Sequence, residues 1–130
     1  MTIEKTVINP DTLPPPNPHL SRAVRVGDLL FVSGTTPGPN PATGVLDTDI
    51  KSQVRSCLET IKAILEGAGT SLENVVSVTA YLKDPSLFSD YNEEYMKFFP
   101  TDPPARTTVQ ANMMRPELLI EITSTAVIPR

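Results

Sequence analysis

"DIKSQVRSCLETIKAILEGAG" spans Asp49 to Gly69, and its apolar residues fall at Ile50, Val54, Cys57, Leu58, Ile61, Ile64 and Leu65. Spacings of three and four put these side chains on one stripe of an α-helix. Asp49 stands where an N-cap is needed, and Gly67 and Gly69 stand where a helix stops. A helix with one apolar stripe needs one apolar surface to lie on, so its flanking segments decide the fold.

Upstream, "AVRVGDLLFVSG" (23–34) holds two short apolar runs, Ala23 to Val26 and Leu29 to Ser33, joined by Gly27-Asp28. That is a hairpin with a two-residue turn needing positive φ. Downstream, "NVVSVTAYL" (74–82) alternates, with Val76, Val78, Ala80 and Leu82 on one face, and reads as a strand. Asp84-Pro85 then supplies an N-cap and a proline at the first helical position, and Leu87, Phe88, Tyr91, Tyr95 and Phe98 form the stripe of a second helix ending before Pro100. Thr107 to Ala111 and Leu118 to Ile128 are the last strands. The order β-β-α-β-α-β-β predicts an α+β, two-layer sandwich, one sheet with both helices on one face. On the last strand Ile120, Ile122, Ser124 and Ala126 face one side, and Leu119, Glu121, Thr123, Thr125 and Val127 face the other. This second, mixed face calls for a cover other than the helices, and a neighbouring subunit in a closed homo-oligomer is the simplest one.

The chain has 130 residues, the size of one domain, and residues 1–20 read as an extended Pro-rich lead-in. Its 14 prolines cluster at 10–18, 37–41 and 100–104, and so mark connections. With 11 Lys and Arg against 15 Asp and Glu, and a net charge of −4, no surface is suited to tracking phosphates, so nucleic acid is not the expected ligand. One cysteine, Cys57, allows no internal disulfide and belongs to the helix's apolar stripe. One histidine, one cysteine and no clustered carboxylates do not furnish a metal site, so no metal is expected. No apolar run approaches a signal or membrane-span length, which predicts a cytoplasmic protein with no membrane association.

Two charges interrupt the last strands. Arg106 follows Pro103-Pro104-Ala105, and Glu121 sits between Ile120 and Ile122. Each has a plain reading, Arg106 as a surface arginine paired with an acid and Glu121 as a strand carboxylate facing solvent or a neighbouring subunit. Each also has a chemical one. A guanidinium fork matches a carboxylate with two parallel hydrogen bonds, and a carboxylate in a cleft accepts and returns protons.

The motifs "FVSG" (31–34), "PATG" (41–44), "YNEEYMKFF" (91–99), "PPART" (103–107) and "LIEI" (119–122), in this order and spacing, resemble the Rid family, also called the YjgF family. The resemblance covers about Ser21 to Ile128. It implies a chorismate-mutase-like fold, a homotrimer with clefts between subunits, and cofactor-free hydrolysis of small carboxylate-bearing enamines and imines to ketoacid and ammonia. It further implies that Arg106 holds the substrate carboxylate and that Glu121 positions a water and shuttles its proton. Thr108, where many members carry cysteine, would contribute its backbone carbonyl. Ser33 and Gly34 would line the cleft or merely close their strand. Asn92 would face the cleft or be a helix-surface residue, and Tyr91 would be a cleft wall or core. One departure stands out: "PHLSRA" (18–23) replaces the common "PYSQA", aligning Leu20 with the family's cleft tyrosine, beside His19. The alternatives are a trimeric ligand-binding or chaperone-like protein without turnover, and a pathway-specific deaminase acting on 2-aminomuconate.

Overall fold

The computed structural model describes residues 3–130, so the first two residues of the lead-in lie outside the described residues. Eight regular elements follow one another: β1 (Lys5–Ile8), β2 (Ala23–Val26), β3 (Leu29–Thr35), α1 (Ile50–Gly67), β4 (Val75–Leu82), α2 (Phe88–Tyr95), β5 (Ala105–Gln110) and β6 (Ile120–Val127). The six strands form one sheet in the order β1-β2-β3-β6-β4-β5, antiparallel throughout except for the parallel pair β4 and β5. Because β6 runs antiparallel to both β3 and β4, those two are parallel to each other. The chain is thus two successive strand–helix–strand crossovers, with β6 inserted into the first. Crossovers of one hand place both helices on the same face, which gives the two-layer α+β sandwich.

The α1 helix begins where Asp49 accepts a hydrogen bond from the Ser52 N–H (3.0 Å). It ends at Gly67, followed by Gly69 at φ +87°, a left-handed geometry that suits glycine. All seven stripe residues are buried. They meet Leu30 and Val32 of β3, Val78, Ala80 and Leu82 of β4, and Ile120, Ile122 and Ala126 of β6. Each fully buried aliphatic side chain contributes about 1.5–3 kcal/mol relative to exposure, and this layer holds the sandwich together.

Asp84 accepts from the Ser86 N–H, opening a short 3-10 turn at Pro85–Leu87 that leads into α2. The regular helix stops at Tyr95, earlier than the stripe to Phe98 predicts. The hairpin turn has positive φ at Gly27 (+60°) but not at Asp28, the pattern of a glycine-first two-residue turn.

Three features differ from the sequence expectations. The lead-in contains a strand, β1, which pairs with β2 at the sheet edge. The strand around Arg106 starts at Ala105, so Arg106 lies within it. And Val76 does not share the face of Val78: a bulge between Val75 and Ser77 sends Val76 outward, 45% exposed, and buries Val75 instead.

Two polar side chains are built into the helical layer. Gln53, 1% exposed, donates to the carbonyls of Asp47 (2.9 Å) and Glu117 (3.1 Å) and accepts from the Leu119 N–H (2.8 Å). It ties α1 to the segment that enters β6. Gln53→Leu orphans all three backbone groups and is expected to cost about 3 kcal/mol, read as a lower denaturant midpoint at fixed protein concentration. Glu94, 2% exposed, takes both Arg55 (3.2 and 3.3 Å) and Lys97 (3.1 Å). Burial pushes its carboxyl up, but these cations outweigh burial and hold it below the usual carboxylate value. The stability this cluster contributes is therefore present at neutral pH and lost as acid titrates through the lowered value.

The other sheet face carries Leu29, Phe31 and Val109, each more than 40% exposed in the single chain.

Candidate active site

Arg106 sits on the edge strand β5 opposite Val78, on the face toward the helices. Its guanidinium carbon lies over three rings of the α2 side: Tyr95 at 4.7 Å from the ring centroid, Tyr91 at 5.1 Å and Phe88 at 5.9 Å. A cation over such ring faces is attracted by their quadrupoles. Among the described residues no carboxylate lies within ion-pair distance of Arg106. Arg106 is exposed on this edge strand.

Thr108 lies two residues on, on the same face, and its Oγ1 shares a hydrogen bond with the Tyr91 hydroxyl (3.1 Å). Tyr91 is fully buried. Burial raises its phenol above the ordinary value, while Thr108 and Arg106 pull it back in part. Burial raises Tyr95 further, to about 12. Both therefore stay neutral. The Tyr95 hydroxyl is buried without a hydrogen-bond partner. Asn92, half-buried, follows Tyr91 on α2 and flanks Phe88 at helical spacing.

Ser33, Gly34 and Glu121 form a second group. The register of β3 against β6 runs from Val32–Ser124 to Thr35–Ile122, so β3 carries one extra residue at Ser33-Gly34. Such bulges re-aim side chains. The Ser33 hydroxyl donates to the Ser21 carbonyl (2.5 Å). Glu121, half-buried, extends its carboxylate over Gly34, where an added Cβ would collide with it. Glycine is what leaves that carboxylate its place. Burial first, and the Glu121 charge second, push the Cys57 thiol far above its ordinary value, so Cys57 is an inert core residue that donates weakly to the Thr35 carbonyl.

Within one chain the two groups do not meet. Glu121 pairs with Tyr81 on the outer face of the sheet, whereas Arg106 pairs with Val78 on the helix face. Two strand spacings across and three residues along put their Cα atoms roughly 14 Å apart.

A cavity of about 820 Å³ opens beside the second group, lined by Ser33, Gly34, Leu20, Arg22, Arg55 and Ser56 among others. Arg106 does not line it. Leu20 reaches this cavity, whereas His19 is exposed and does not. Arg22 donates to the Pro14 carbonyl (2.8 Å), holding the Pro-rich segment as one wall. Among the described residues no three His, Cys, Asp or Glu side chains cluster as metal ligands would, and no helix is long and apolar enough to cross a membrane.

Sequence reasoning named Arg106, Glu121, Ser33, Gly34, Tyr91, Asn92 and Thr108. It missed the roles of Phe88 and Tyr95 beside Arg106, although their spacing with Tyr91 showed that all three share one helix face.

The sequence profile of the family described as Endoribonuclease L-PSP matches residues 11–128. A RutC family protein of Pyrococcus horikoshii is 43% identical over 123 residues, covering 94% of this chain and 97% of its own. The 3-aminoacrylate deaminase RutC of Acinetobacter baylyi is 37% identical, covering 94% and 97%. The solved structure of a Rid-family protein of unknown function from Yersinia pestis superposes with a TM-score of 0.87 at 32% identity, covering 96% of this chain and all of that one. The fold and motifs agree with these matches along almost the whole chain, which belongs to the Rid family, also called the YjgF family.

Proposed function

We propose that this protein hydrolyses small enamines and imines bearing a carboxylate, releasing a ketoacid and ammonia, in clefts shared by neighbouring subunits of a homotrimer. The observation that carries the reading is Arg106: an arginine over three aromatic rings with no acid among the described residues to neutralise it. A planar fork so placed suits a substrate carboxylate, and it fixes the adjacent imine carbon.

In this reading an enamine substrate first tautomerises to the imine. Glu121 holds a water and removes one proton as the water oxygen bonds to the imine carbon, and the C=N electron pair moves to nitrogen, which takes up a proton from solvent. The proton held by Glu121 then passes to that nitrogen. The C–N bond breaks and ammonia leaves as the hydroxyl oxygen forms the C=O bond and gives its proton back to solvent. The Thr108 carbonyl would help to hold the water, and Ser33, Gly34 and Asn92 would line the cleft. The Acinetobacter relative supports the reaction class, since 3-aminoacrylate is an enamine carrying a carboxylate.

The shared cleft is supported by the separation of Arg106 and Glu121 within one chain, and by the exposed Leu29, Phe31 and Val109 on the sheet face that no helix covers. The protein is expected to sediment at about three times its 14.1 kDa chain mass. A monomer at micromolar concentration would sink the shared-cleft reading. The RNA-cleaving activity in the family description is not favoured, because the net charge of −4 and the scattered basic residues offer no phosphate-tracking surface. The reaction is tested by generating imines in situ with an amino-acid oxidase and following ketoacid release. Release faster than the spontaneous rate supports the reading. Binding of a ketoacid with no acceleration supports the alternative, a ligand-binding trimer.

A further inference from the structure

We infer that Tyr91 is a positioning residue, which presents the Arg106 guanidinium as a preorganised carboxylate receptor through ring contact and through its hydrogen bond to Thr108. The inference rests on the reading above that Arg106 receives a carboxylate.

An arginine on an edge strand has many rotamers, and each one lost on binding a ligand weakens that binding. Among the described residues Arg106 has no acid partner to hold it. What holds it is aromatic. Phe88, Tyr91, Tyr95 and Phe99 form a continuous ladder, with successive ring centroids 6.0, 5.7 and 4.8 Å apart. Its last rungs are anchored in the core, where Tyr95 and Phe99 are buried. Tyr91 is the rung joined to the strand as well. Its ring lies under the guanidinium while its hydroxyl engages Thr108, two residues along the same face of β5.

Being fully buried, Tyr91 offers no surface to a substrate. Its influence on a ligand runs through Arg106. A planar guanidinium, unlike a simple point charge, is oriented by contact with ring faces, so the rings beneath Arg106 restrict its rotamers.

The test compares Tyr91→Leu, which removes ring and hydroxyl, with Tyr91→Phe, which removes the hydroxyl alone, each shown folded by melting. Pyruvate serves as the unreactive carboxylate and pyruvamide as its neutral counterpart. Tyr91→Leu is expected to weaken pyruvate binding and raise KM about 5-fold, with kcat changed less than about 2-fold. Tyr91→Phe is expected to lose about 2-fold, and pyruvamide binding should not move in either variant. The Arg106 Nε–Hε resonance is expected to be discrete and slowly exchanging in the parent and to broaden or average in Tyr91→Leu.

Unchanged pyruvate affinity and an unchanged Arg106 resonance in folded Tyr91→Leu would overturn the inference and leave the ladder as core packing. Where Tyr91→Leu does not fold, Tyr91→Phe and Thr108→Val delete the same hydrogen bond with shape kept, and both must show the smaller loss. A parent that holds Arg106 ordered but accelerates no imine hydrolysis would refute the proposed reaction and leave the positioning role standing.

Discussion

Arg106→Ala is expected to lose about 2–5 kcal/mol of transition-state binding, roughly 30- to several-thousand-fold in kcat/KM, while the protein remains folded and assembled. The size follows from the site. Arg106 has no acid partner among the described residues, so its removal strands no buried carboxylate and costs little stability. The loss falls on the ligand. Arg106→Lys keeps the charge but cannot rebuild two parallel hydrogen bonds or the guanidinium's contacts over the Tyr91 and Tyr95 rings, and most of the activity is expected to go with it. Steady-state imine hydrolysis, measured on variants first checked by melting and sedimentation, decides the matter. Parent-like rates in Arg106→Ala would return Arg106 to an ordinary surface arginine.

Glu121→Gln carries a different signature. The amide keeps the shape over Gly34 but cannot take up a proton, so turnover should fall by about 10²–10⁴-fold while pyruvate still binds within a few-fold of the parent. Titration of pyruvate beside kcat separates the two effects. Equal loss of binding and turnover would make Glu121 a binding group, and no loss of either would make it a strand carboxylate.

The helical layer was legible because its signals are local. The α1 stripe, the Asp49 cap and the Asp84-Pro85 start each depend on residues within a turn of one another, and each recurs in the structure. The strand β1 was not legible. Its four residues, Lys5–Ile8, are mostly exposed at the sheet edge, and pairing with β2 makes the strand where no hydrophobic alternation marks it. The two bulges were hidden for a related reason. Alternation assumes an unbroken pleat, and only the partner strand β6 reveals that Val76 and the Ser33-Gly34 pair each break it. Gln53 and Glu94 occupied stripe positions all along, but a polar residue there reads as surface until its hydrogen-bond partners are seen.

For the candidate site, the charges at Arg106 and Glu121 were conspicuous as misplaced residues in strands. The joint role proposed for them came only from the family resemblance, because spacing along the chain does not say that one faces the helices and the other the opposite side of the sheet. The aromatic stripe of α2 was readable from its period. That it would lie beneath a cation was not, since this depends on how the parallel strand β5 docks beside β4.

The central claim, that one subunit's Arg106 works with a neighbour's Glu121, is tested most directly by mixing Arg106→Ala and Glu121→Gln chains, each nearly inactive alone. Refolded together in equal amounts into mixed trimers, they should recover about one quarter of the parent imine-hydrolysis rate, since about that share of clefts receives an intact Arg106 from one chain and an intact Glu121 from the next. Each variant refolded alone should recover nothing. A mixture no more active than the separate variants, in trimers shown to have exchanged subunits, would contradict the shared site.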